Sequence, residues 1–269
     1  MHDVRPAAVA GMFYPGSFAA LAESVRACFA GAIPITAATP PKALIVPHAG
    51  YVYSGPIAAN GYARLRAARA TIRRVVLLGP THRVAVRGLA LPSARAFATP
   101  LGAVEIDHKA AGLALTLPQV VLHDGAHAFE HSLEVQLPFL QTVLDDFRVV
   151  PFAVGDATAD EVADVLDRLW GGAETLIVVS SDLSHYHRYA EARAIDRATA
   201  DAILALGPAI DHEQACGATP VNGLMLLARR HGLVPELLDL RNSGDTAGDR
   251  SRVVGYAAFA FSEARCATP

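Results

Sequence analysis

The sequence predicts an α/β sandwich, a sheet with helices on both faces, and three observations carry that prediction. Short runs of consecutive apolar residues recur, amphipathic helical patterns lie between them, and Gly and Pro are spread through the connections rather than pooled in a linker. Strands buried on both faces read as continuous rather than alternating apolar runs. With 269 residues and no internal repeat, a single domain is expected to span residues 1–269.

The elements follow in order. A helix beginning at Ser17 aligns Phe18, Leu21, Val25, Cys28 and Phe29 on one face. Strands are expected at Ala43-Leu44-Ile45-Val46 and Val75-Val76-Leu77-Leu78, with a helix over 56–68 between them that places Pro56 in its first turn. Val149-Val150-Pro151-Phe152 is the next strand. The helix from Thr158 to Trp170 has Val162, Val165, Leu166 and Leu169 on one stripe, a Thr158/Glu161 capping box, and Gly171-Gly172 as its stop. Leu176-Ile177-Val178-Val179 is a strand, helices are expected over 189–206 and 220–231, and the polar loop Gly244–Asp249 precedes a last strand at Val253-Val254-Gly255-Tyr256.

Composition excludes several classes of function. Apolar residues make up 52% and charged residues 18%, which disfavours disorder, and a net charge of −3 removes the basic balance of a nucleic-acid binder. Cys28, Cys216 and Cys266 are too few and too scattered for a disulfide framework, and no CxxC pair is present. There is no long uninterrupted apolar stretch and no apolar leader, so no membrane partner is expected and the chain is read as cytoplasmic. Neither a Walker A loop nor GxGxxG occurs.

Three of the predicted strands end in polar groups that a core does not need: Pro47-His48-Ala49-Gly50-Tyr51, Gly79-Pro80-Thr81-His82 and Ser180-Ser181-Asp182-Leu183-Ser184-His185. In open α/β sheets ligands bind beyond the carboxyl ends of strands, so these tips are expected to converge. Cys216 precedes an apolar helix, where the positive dipole end favours a thiolate. Two imidazoles and a thiolate suit zinc, copper or ferrous iron, and their chemistry alone does not choose among these. Glu130 and His131, at an expected helix start, could orient a ligand imidazole or act as general acid and base, and Asp182 and His185 could do the same. Tyr51, Tyr53 and Tyr186 are pocket candidates. Cys28 reads as a core residue, and His108, His123, His127, His187, His212 and His231 as surface or loop residues.

On these residues the sequence resembles the Memo family, whose bacterial members are called AmmeMemoRadiSam system protein B. The matching segments are Val4-Arg5-Pro6-Ala7 with Gly11 to Tyr14, Pro47 to Tyr51, Leu78 to His82, Glu130-His131-Ser132-Leu133-Glu134, Ser180-Ser181-Asp182 with His185, and Cys216-Gly217 with Pro220. The resemblance implies an α/β/α sandwich around a mixed sheet, similar to class III extradiol dioxygenases. It implies a metal held by His48, His82 and Cys216, with Asp182 and His185 lining the same pocket, and iron before copper. Dioxygenases of that class use two histidines and a carboxylate, so Cys216 sets this chain apart from ring-cleaving chemistry. Three functions follow as expectations: a redox enzyme acting on a small molecule, a zinc hydrolase using the same site, or a non-enzymatic metal carrier or partner-binding protein working beside a radical enzyme.

Overall fold

The computed structural model describes residues 3–33 and 39–264; Cys266 lies outside them. The strands are β1 (Val4–Arg5), β2 (Ala43–Val46), β3 (Arg74–Pro80), β4 (Leu89–Leu91), β5 (Ala96–Thr99), β6 (Gly102–Glu105), β7 (Val120–Leu122), β8 (Arg148–Val154), β9 (Thr175–Ser180), β10 (His185–His187), β11 (Leu233–Asn242) and β12 (Val253–Glu263). The helices are α1 (Phe18–Ala30), α2 (Tyr51–Ala63), α3 (His108–Ala114), α4 (Asp124–Ala128), α5 (Leu137–Val143), α6 (Ala159–Arg168), α7 (Tyr189–Leu204) and α8 (Ala218–His231).

Nine strands form one mixed sheet in the order β10-β12-β2-β9-β3-β8-β4-β7, with β11 also paired to β12. The pairs β2–β9, β9–β3 and β3–β8 are parallel, whereas β12–β2 and β8–β4 are antiparallel. Strand residues alternate between two cores. Leu44, Val46, Val75, Leu77 and Val178 pack with Leu21, Val25, Tyr62 and Phe139 of α1, α2 and α5. Ala43, Ile45, Val76, Leu78 and Val179 pack with Val162, Leu166, Ile203 and Leu224 of α6, α7 and α8. Two-sided burial is the reason these strands are apolar at every position. Among the described residues, no helix is long and apolar enough to cross a membrane.

The expected strand runs each fall inside a strand, and the Thr158/Glu161 capping box is formed. The helix expected over 56–68 runs instead from Tyr51 to Ala63, with a separate 3-10 turn at Arg66–Ala68; it can begin at Tyr51 because the Tyr51 N–H is satisfied from outside the helix by the Phe13 carbonyl at 2.8 Å. Pro56 therefore sits inside α2, where the carbonyl it leaves without a donor belongs to the solvent-exposed Val52.

Candidate functional site

The order β2-β9-β3 brings the three polar tips together. His48 lies two residues beyond β2, Asp182 two beyond β9 and His82 two beyond β3, at the carboxyl ends of three adjacent parallel strands. Ring nitrogens of His48, His82 and His131 lie within 4.8 Å of one another, a group able to hold a metal ion. These rings form part of the floor and wall of a cleft of about 810 Å³, shared with Asp182, His185 and Tyr53.

Hydrogen bonds fix the tautomer of both strand-tip histidines. The Ser180 hydroxyl donates its one proton to the Ser132 carbonyl (2.6 Å) and accepts from the Gln136 amide (2.7 Å). The Gln136 amide is oriented in turn, since its NH₂ also donates to the Pro47 carbonyl and its oxygen accepts from the Tyr62 hydroxyl. Ser180 Oγ can therefore only accept from His48 Nδ1, 2.9 Å away, and the lone pair of His48 rests on Nε2. His82 Nδ1 donates to Glu130 Oε1 at 2.9 Å, which leaves its lone pair on Nε2 as well. Burial pushes the His48 imidazole well below its ordinary value, with the neighbouring His131 and His82 rings acting in the same direction. His131 is likewise lowered by burial, to about 4.

Glu130 is a buried acceptor surrounded by donors. Its Oε2 takes the His82 N–H (2.6 Å), and its Oε1 takes the N–H groups of His131 and Ser132 (each 2.9 Å) in addition to the His82 ring. Burial opposes its charge, but these bonds and His82 outweigh it and hold the carboxyl at about 2. Glu130 and His131 do not begin a helix as expected; they lie in the connection after α4, and the next helical turn starts at Glu134.

Asp182 is buried, and its Oδ1 accepts the His48 N–H at 2.7 Å. Burial raises its carboxyl to about 7, opposed by the N–H groups of His48 and Ala49. His185 lines the cleft from β10, its imidazole lowered by burial. Cys216 stands outside the three-histidine group, but its Sγ lies 3.3 Å from His48 Nε2. Gly217 permits that approach, since a Cβ there would lie 2.7 Å from Ser181. The expectation of a favoured thiolate is corrected: burial and the nearby Asp182 push the Cys216 thiol up to about 12.

Tyr53 and Tyr186 line the cleft, whereas Tyr51 is buried with its hydroxyl on the Val135 carbonyl. His127, expected as a surface or loop residue, is buried in α4 and bonded to the Ala90 carbonyl. The loop before β12 is more than a surface connection, because Ser243, Gly248 and Asp249 form one wall of the cleft. Sequence reasoning missed Ser180 and Gln136 as orienting residues, although a glutamine inside the apolar run Leu133 to Phe139 was an available signal.

The family model described as Memo-like protein matches residues 5–260. A protein of Methanopyrus kandleri named "MEMO1 family protein MK0963" is 38% identical, with 96% of this chain and 98% of that protein covered. "MEMO1 family protein" of Ignicoccus hospitalis and of Aquifex aeolicus are each 37% identical, covering 96% of this chain and 98% and 99% of theirs. The solved structure titled "Crystal structure of uncharacterized protein JW3007 from Escherichia coli K12" aligns with a TM-score of 0.48 and 16% identity over 80% of this chain and 98% of that one. The match along nearly the whole length, together with the strand-tip histidines and the Glu130 connection, establishes that the chain belongs to the Memo family.

Proposed function

We propose that this protein is a metal-dependent oxidoreductase whose ion is held by His48 Nε2, His82 Nε2 and the Cys216 thiolate. The observation that carries the reading is the pair of imidazoles that line the cleft with tautomers locked by Ser180 and Glu130, and a thiol 3.3 Å from the free nitrogen of His48. An imidazole lone pair lies in the ring plane. The His48 and His82 planes cross at 77°, so their lone pairs can meet at one ion. The His131 and His82 rings are stacked at 22°, and nearly parallel planes converge poorly; a thiolate has no such restriction. His131 is thereby left beside the ion to exchange a proton with substrate.

Iron, the ion assigned first, would supply a redox centre with open positions for substrate or oxygen. A cation is also what the site's chemistry needs, since it replaces the proton that burial otherwise keeps on Cys216. Asp182 holds the His48 backbone, and together with His185 it offers proton-exchanging groups to a substrate in the cleft.

Metal content by mass spectrometry on anaerobically purified protein tests this reading. Near-stoichiometric iron is expected in the wild type and His131→Ala, and loss of it in His48→Ala, His82→Ala and Cys216→Ala. Loss in His131→Ala with retention in Cys216→Ala would replace the thiolate by a third imidazole. Zinc with oxygen-independent turnover would move the assignment to hydrolysis. A tightly held ion with no turnover would move it to a carrier acting beside a radical enzyme, and no metal at all would overturn it.

A further inference from the structure

The lining of the cleft includes a cation, Arg252, that pairs with no carboxylate among the described residues. Several arginines, Arg64, Arg74, Arg87 and Arg230 among them, form ion pairs, whereas Arg252, like Arg66, Arg193 and Arg250, forms none among the described residues; what sets Arg252 apart from those is that it lines the cleft. Its guanidinium instead lies over the ring of Tyr186, 5.2 Å from the centroid, and both residues line the cleft. Arg252 immediately precedes β12, whose Val253 and Val254 pair with His187 and His185, so the Arg252–Tyr186 pair stands beside His185.

Tyr186 is held there at a cost. Its φ is +64°, a left-handed conformation that an aromatic residue rarely adopts, at the point where the β10–β12 register shifts. Burial does not compensate, because the residue is 64% exposed. An observed backbone outlier at a cleft is a reason to look for function. Here the strained residue lines the cleft with the Arg252 guanidinium over its ring, and Phe13, Tyr53 and Tyr256 line the same cleft.

We infer that the cleft takes a small flat monocarboxylate, its carboxylate paired with Arg252 and its apolar body against Tyr186 and Tyr53. The guanidinium fork matches a planar carboxylate through two parallel N–H···O bonds. A phosphate dianion fits less well, because Asp249 lines the same cleft and would repel the second charge. Held at its outer end, such a ligand directs its far edge toward the histidine cluster. The inference rests on the proposed reading of that cluster as the reactive centre only for this last step.

Benzoate, benzamide and phenyl phosphate titrated by calorimetry into the metal-loaded full chain test it, with Arg252→Gln and Arg252→Lys alongside. Arg252 is exposed, so both variants are expected to fold, as circular dichroism would verify. Benzoate should bind the wild type, at least about tenfold more weakly in R252Q and with intermediate strength in R252K. Benzamide should bind weakly and equally in all three. Equal benzoate affinity in wild type and R252Q, benzamide binding as tight as benzoate, tighter phenyl phosphate, or no benzoate binding would each overturn the proposal. Repeating the titration after chelation separates the two readings. Benzoate binding that vanishes with the metal but ignores R252Q places the carboxylate on the ion and overturns the Arg252 subsite. Arg252-dependent binding in a protein that takes no metal supports the subsite while the metal reading fails.

Discussion

Glu130 shows how much of this site depends on one charge state. All four of its partners are donors, three backbone N–H groups and one imidazole N–H, so only an acceptor at both oxygens satisfies them. Glu130→Gln puts an NH₂ in place of one oxygen, and whichever way the amide turns, N–H faces N–H. The expected result is a loss of about 1–3 kcal/mol of stability in denaturant titrations. If His82 is a ligand, its orientation relaxes as well, and metal affinity in a competition assay should fall about 10–100-fold. Unchanged affinity in E130Q would show that the His82 ring is not held for a metal. The sequence made Glu130 visible as a polar residue beside a histidine, but not its partners, since they gather from the loop after β3 and the α4–α5 connection only when the chain folds.

At the scale of elements, legibility followed burial. The strands β2, β3, β8 and β9, covered on both faces, stand out as unbroken apolar runs. The β11 strand does not, because Pro235, Glu236, Asp239 and Arg241 interrupt it; among the described residues it pairs only with β12, on the partly exposed border of the sheet where such residues are tolerated. The pairing of α6 with α8 was equally hidden, since it depends on a glycine. A Cβ at Gly223 would lie 2.3 Å from Val162 Cγ1, so the two helices meet more closely there than any side chain allows. Gly223→Ala should therefore cost about 1–3 kcal/mol, read as a lower urea midpoint. Gly112→Ala in α3, where nothing lies within 4 Å of the added Cβ, is the contrasting case and should gain up to about 1 kcal/mol of helix propensity. Equal effects at the two positions would mean that α6 and α8 do not pack as closely as described.

For the molecule as a whole, the N-terminal arm is fastened to the segment that carries Glu130 and His131, and one buried ion pair does the fastening. Arg5 pairs with Glu134, and its other nitrogens donate to the carbonyls of His127 (2.8 Å) and Glu130 (2.6 Å). Glu134 also accepts the N–H groups of Ala8 (2.8 Å) and Val9 (3.0 Å) and the hydroxyl of Tyr14. The same arm delivers Phe13 onto the His131 ring at 4.6 Å and so builds part of the cleft. That network gives a physical reason for the distant motifs Val4 to Ala7, Gly11 to Tyr14 and Glu130 to Glu134 to occur together in one chain. Glu134→Ala leaves Arg5 buried and unpaired, a change that typically costs about 3–5 kcal/mol. Replacing both partners with apolar residues, Arg5→Met with Glu134→Leu, removes the stranded charge but still leaves the N–H groups of Ala8 and Val9 and the Tyr14 hydroxyl without an acceptor. The double variant should therefore recover only part of the loss in chemical denaturation. Full recovery would show that the charge pair alone, rather than the three further donors, makes Glu134 necessary, and that the arm is held by the rest of its packing.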